Sequence, residues 1–160
     1  VPVVVGGAPS DLQALNAGIL QMPKIVKVKT GSKFEEIGSY SRLVAVDDWL
    51  YVSNTAGRNP LTKEIPDDVL GQTHQVFSNI EAALVAADSC LADVVCSRVF
   101  IQEPADVHTV MTLIGEKFKG INPSTTVTCP PLGSSVYKVE LEVTAYRGAS
   151  QATVETITIA

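Results

Sequence analysis

The chain has 160 residues, 46% of them hydrophobic and only 18% charged, a length and composition that suit one domain with a single core and exclude disorder. Net charge is −5 and no Lys/Arg cluster occurs, so the basic footprint that nucleic acid demands is missing. No apolar run approaches the length of a membrane span, and Val1-Pro2-Val3-Val4-Val5 lacks the basic flank of a secretory signal, so the expectation is a soluble cytoplasmic protein with no membrane partner.

Residues 1–36 read as an N-terminal extension, in which Gly6-Gly7-Ala8-Pro9 marks a loop and Ser10 could cap a short helix carrying Leu12, Leu15 and Ile19. Strand-like sequence begins with Ile25, Val26 and Val28 and meets a Gly31-Ser32 turn. Arg42 to Val46 and Trp49 to Ser53 flank Asp47-Asp48, the pattern of a tight β-hairpin. Trp49 reads as a packing anchor. Ser53-Asn54-Thr55 closes the hairpin either as a plain turn or as the mouth of a pocket.

A long helix is predicted from about Asp67 to Asp88. Val69, Thr73, Val76, Ile80, Leu84 and Ala87 form one apolar stripe, and Asp67 and Asp68 suit the positive N-terminal end. Asp93 to Ile101 reads as a buried strand. Pro104 opens a second helix whose inner face carries Val107, Val110, Met111, Ile114 and Phe118. Residues 122–131 then give a short strand and a Pro-rich turn, and Val136 to Tyr146 is the last strong strand. The main domain is placed at residues 37–148, with a Thr-rich, weakly strand-like tail at 149–160.

The order ββ(β)–α–β–α–ββ defines an α+β fold. Two helices cannot cover both faces of such a sheet, so both are expected on one face of a mixed β-sheet, the other being polar or hidden by self-association.

Few residues carry obvious chemistry. Glu140 lies mid-strand on the face opposite Val139 and Leu141, with Lys138 and Glu142 beside it. Such a row either tunes a general base or is a solvated strand face. Tyr40 at a strand entry either hydrogen-bonds a ligand or caps the core. Arg98, inside a strand that reads as buried, either pairs with an acid across the sheet in a structural salt bridge or reaches the face without helices. Cys90, Cys96 and Cys129 are odd in number and lie beside no base in sequence, which argues against a disulfide framework and a reactive thiol. His74 and His108 fall on helix flanks, and no metal site or cofactor is expected.

Several segments, each weak alone, together resemble the Rid family, the YjgF-like reactive imine and enamine deaminases, which also carry older labels such as translation initiation inhibitor and L-PSP endoribonuclease. The match runs through Gly38-Ser39-Tyr40-Ser41, Leu50-Tyr51-Val52-Ser53, Asn59-Pro60-Leu61-Thr62, Gln72-Thr73, Asn79-Ile80 and Asp93-Val94-Val95, and closes at Phe118, Pro123 and Val139-Glu140-Leu141-Glu142. The resemblance implies a chorismate-mutase-like fold and a homotrimer whose helix-free sheet faces turn inward, with ligand clefts between subunits. It makes Tyr40 and Glu140 cleft residues and Glu140 the group that activates water.

The same resemblance puts Thr125 at the position of an arginine that binds the substrate carboxylate, because Pro123-Ser124-Thr125-Thr126 stands where the family has Pro-Ala-Arg-Ser. Ser53-Asn54-Thr55 replaces the common Ser-Gly-Gln, and Met111 replaces an asparagine. Loss of one charge-assisted, bidentate contact costs on the order of 2–4 kcal/mol, or about 30- to 1000-fold in binding. The expectation is hydrolytic deamination of an imine, enamine or related small C–N metabolite with weak or no activity on the usual 2-imino acids. Glu140 is catalytic in this reading, and Tyr40, Asn54, Thr125 and backbone groups near Val127 bind the ligand. The alternative is a non-catalytic small-molecule binder or scaffold on the same fold. Direct contact with RNA conflicts with the acidic charge.

Overall fold

The computed structural model describes residues 22–160. The helix expected around Leu12, Leu15 and Ile19 lies outside the described residues. Six strands form one sheet: β1 (Ile25–Val28), β2 (Leu43–Val46), β3 (Trp49–Ala56), β4 (Val94–Ile101), β5 (Ser124–Thr128) and β6 (Val139–Tyr146). Their spatial order is β1-β2-β3-β6-β4-β5. Only β4 and β5 run parallel; every other pair is antiparallel, so the sheet is mixed.

The predicted hairpin pairs Val46 with Trp49 around Asp47-Asp48, and Asp47 takes φ 51°, a left-handed conformation that aspartate tolerates. Arg147 braces it: Nη1 donates to the Asp47 carbonyl at 2.7 Å and Nη2 to the Ala87 carbonyl at 2.9 Å.

The long helix, α2, spans Val69–Ala86, inside the predicted bounds. The Asp68 carboxylate accepts from the Gly71 N–H at 2.8 Å, satisfying one of the amides a helix leaves unpaired at its start. The second helix, α3 (Val107–Lys117), follows a 3₁₀ turn that begins at Pro104. Val76, Phe77, Ile80 and Leu84 of α2 and Val110 and Ile114 of α3 are buried in one cluster with Leu43, Leu50, Val52, Val99, Ile101, Leu141 and Val143 of the sheet. Phe77 and Phe118 meet edge to face at 5.3 Å. On β6 burial alternates strictly, with Val139, Leu141, Val143 and Ala145 inside. Both helices therefore cover one face, and Glu140 and Glu142 point away from it.

Four local expectations are corrected. A short helix, α1 (Lys33–Ile37), follows the Gly31-Ser32 turn; the Ser32 hydroxyl accepts from the Phe34 N–H at 3.2 Å, and Glu35 is buried. With β1 paired to β2, residues 25–28 are an edge strand of the sheet rather than part of an extension, and α1 lies between β1 and β2 in the chain. Strand β4 is buried only toward the helices, and Arg98 on its other side is exposed. The tail forms no strand: a 3₁₀ turn at Ala149–Gln151 leads into exposed irregular chain.

That turn is fixed by Asp93, which is buried and accepts from the Ser150 N–H at 2.9 Å and the Ser89 hydroxyl at 2.8 Å. Burial raises the Asp93 pKa, but hydrogen bonds from Ser150, Ser89 and Gly148 outweigh it and bring it down to about 2.

Candidate functional site

The site begins with an irregularity in β3. Val52 pairs with Val143 and Thr55 with Leu141, so β3 carries one residue more than β6 between these pairs. In a regular strand Asn54 would share the core side with Val52. The bulge lets both Val52 and Thr55 face the core and turns Asn54 outward. Asn54 is thus neither a turn residue nor a core residue. Its Nδ2 donates a hydrogen bond to Glu140 Oε2.

Glu140 sits opposite Ala56 and Phe100 and is half-buried. Burial pushes its pKa above the ordinary carboxylate value, and the Asn54 hydrogen bond partly opposes this. Of the two readings of the Lys138–Glu140–Glu142 row, tuning of Glu140 by its neighbours is not the cause of this shift, which is set by burial and Asn54. Glu142 is paired instead with Arg98 at 2.5 Å, the acid across the sheet in one of the two readings of Arg98. The Lys138 N–H donates at 2.8 Å to Gln72 Oε1, whose Nε2 donates to the Pro66 and Val136 carbonyls. A buried glutamine on α2 therefore fixes the entry to β6 just before Glu140.

Glu140, Asn54 and Tyr40 line one cleft of about 920 Å³, of a size that fits small-molecule ligands. Tyr137, Phe34 and Ala83 give part of its wall. Thr125 and Val127 do not line it. They stand on β5, at the sheet edge beyond β4, and the Thr125 hydroxyl bonds that of buried Ser97 at 2.8 Å. Among the described residues no His, Cys, Asp and Glu group could hold a metal ion. The cysteines are free, and His74 and His108 are exposed on the helices.

Several cleft residues escaped the sequence reading, Arg42 chief among them. Arg42 Nη1 donates to the Asn54 carbonyl at 3.0 Å and to the Thr55 hydroxyl at 2.9 Å, bracing the bulge from below. Its Nε lies 3.8 Å from buried Glu35, and its guanidinium lies 5.8 Å from the Tyr40 ring centroid. Glu35 is held by the Thr30 N–H at 2.9 Å and the Thr30 hydroxyl at 2.8 Å. The spacing Ser32-x-x-Glu35 is a helix-start signal, and it was the one clue to this cluster.

A mixed six-stranded sheet with α2 and α3 packed on one face and a carboxylate-bearing cleft beside it defines the α+β class of the fold. The sequence profile described as Endoribonuclease L-PSP matches residues 30–147. A RutC family protein from Leuconostoc mesenteroides subsp. cremoris is 30% identical over 133 residues, covering 78% of this chain and 98% of its own. A 2-iminobutanoate/2-iminopropanoate deaminase from Rattus norvegicus is 30% identical over 125 residues, covering 76% and 89%. The crystal structure of a YjgF/YER057c/UK114 family member from Mycobacterium tuberculosis superposes with a TM-score of 0.70 at 31% identity, over 77% of this chain and 99% of that one. The chain belongs to this endoribonuclease L-PSP family, also called the YjgF family.

Proposed function

We propose that the protein hydrolyses an imine, enamine or related small C–N compound in this cleft. The observation that carries the reading is the half-buried Glu140 carboxyl, raised in pKa and held by Asn54, at the wall of a ligand-sized cleft. A base with a raised pKa takes a proton more readily near neutral pH. Glu140 removes a proton from water as the oxygen attacks the imine carbon, giving a carbinolamine. Glu140 passes that proton to the nitrogen to complete the carbinolamine, then takes the hydroxyl proton as the carbonyl forms and delivers it to the nitrogen, which leaves as ammonia. Asn54 fixes the carboxylate and Tyr40 orients the ligand.

Two relations support this chemistry: membership of the family and likeness to a rat protein named as an imine deaminase. Thr125 in place of a carboxylate-binding arginine goes with weak or no activity on the usual 2-imino acids. Thr125 and Val127 reach such a cleft only from a neighbouring subunit, so their ligand role goes together with a homotrimer. Ammonia release from a panel of imines and enamines tests the reading. Turnover abolished by Glu140→Gln is expected; no turnover of any member, or an unimpaired Glu140→Gln variant, defeats it. The placement of Thr125 and Val127 outside the protomer's cleft favours the second reading, a non-catalytic small-molecule binder, for which ligand would bind without turnover.

A further inference from the structure

The chain as a whole is acidic, with 12 Lys and Arg against 17 Asp and Glu. The cleft reverses this balance. Its charged lining residues are Lys33, Arg42, Arg58 and Lys63 against Glu35 and Glu140, four cations to two carboxylates. A concave surface of one sign, walled by low-dielectric protein, focuses its field and draws in ligands of the opposite sign.

Arg42 is the cation best fitted to hold such a ligand. Its side chain is only 16% exposed, and two hydrogen bonds through Nη1 fix the plane of its guanidinium. Buried Glu35 is the ion-pair partner of Nε at 3.8 Å, and neither Nε nor the outer nitrogen Nη2 has a hydrogen bond to a described residue. A guanidinium held in place in the unliganded protein loses little freedom on binding an oxyanion. Arg58 adds charge: its Nε donates to the Lys63 carbonyl at 3.1 Å. The Tyr40 and Tyr137 rings and Phe34 provide apolar wall beside these charges.

We propose that the cleft selects a small monocarboxylate with a flat or branched apolar body, its carboxylate held by Arg42 Nη2 with support from Arg58, and its body against Tyr40 and Tyr137. This deepens the proposed function and rests on the same cleft: Arg42 takes the anchoring role that Thr125 cannot. A single negative charge is specified because Glu35 already offsets part of Arg42, and Glu140 in the same cleft repels a dianion.

Phenylacetate and its neutral isostere phenylacetamide are the probes, titrated into the full chain and followed by NMR chemical shifts. Phenylacetate is expected to bind about tenfold more tightly than the amide, and to weaken as salt rises from about 0.05 M to about 0.5 M. Arg42→Gln should remove most of that preference without weakening the amide, and Arg58→Gln should reduce it about threefold. Lys119→Gln, which removes one charge outside the cleft, should change neither. If Arg42→Gln fails to fold, the salt dependence and Arg58→Gln decide. Equal binding of acid and amide, no phenylacetate binding, or a Lys119→Gln effect as large as that of the cleft variants overturns the proposal. Phenylacetate binding without imine turnover leaves this inference standing and defeats only the hydrolase; turnover with equal binding of the two probes does the reverse.

Discussion

Glu140 and Asp93 are two carboxyl groups whose surroundings drive them in opposite directions. Glu140 is penalised when charged, because burial outweighs its one amide donor. Its contribution to stability is therefore full below the unfolded carboxylate pKa and is lost as pH rises through the raised folded value. Glu140→Gln should raise the melting temperature at neutral pH, a gain that vanishes in acid, while wild-type turnover falls as pH drops through that same raised pKa. Calorimetry and a pH–rate profile on the two proteins check both halves. Asp93 behaves oppositely: its hydrogen-bonded charge stabilises the fold above the ordinary aspartate pKa of 3.8, and the benefit disappears as pH falls through about 2. Asp93→Asn should cost about 1–3 kcal/mol at neutral pH and progressively less in acid, as read from urea unfolding.

The elements divide by how local their causes are. The hairpin, α2, α3 and the Val139–Tyr146 strand were legible because period and caps lie within a few residues: Asp47-Asp48, the Val76/Ile80/Leu84 stripe, Pro104, the alternation after Lys138. The β3 bulge was not, because it exists only as a mismatch of register with β6, a strand more than eighty residues away. The short α1 was missed although Ser32 and Glu35 announce its start, since five residues give no periodicity to read. Packing between elements brings a further constraint at Gly57, where a Cβ would stand 2.6 Å from the Gln72 carbonyl oxygen and 2.8 Å from its Cα. Both are backbone atoms of α2, so neither can swing aside. Gly57→Ala should destabilise by about 1–3 kcal/mol and loosen the Gln72 brace under β6, measurable as a lower urea midpoint with an unchanged slope.

At the scale of the molecule, the helix-free face carries exposed aromatic side chains. Tyr51, Trp49 and Tyr146 remain 49%, 45% and 40% exposed there and near the hairpin, and Trp49 and Tyr146 stack edge to face at 5.1 Å. A homotrimer that buries this face is the expectation. Sedimentation of the wild-type chain should give three times the protomer mass of 17.0 kDa, and Tyr51→Asp should shift it toward monomer by burying an unpaired charge. A wild-type monomer at micromolar concentration would count against the trimer and against any part for Thr125 and Val127 in a cleft.

Sequence alone determined the fold class, since periods of two and of three to four residues fix which faces are apolar, and two helical stripes admit one layer over a mixed sheet. It also singled out Glu140 and Tyr40, and Asn54 as one of two readings. Only the tertiary structure decided that Asn54 turns out to hold Glu140, that Thr125 and Val127 stand at the far edge of the same protomer, and that Arg42 belongs to the cleft. The reason is physical. Side-chain period is a local property of the chain, whereas strand register and charge balance in a cleft arise between segments that meet only on folding.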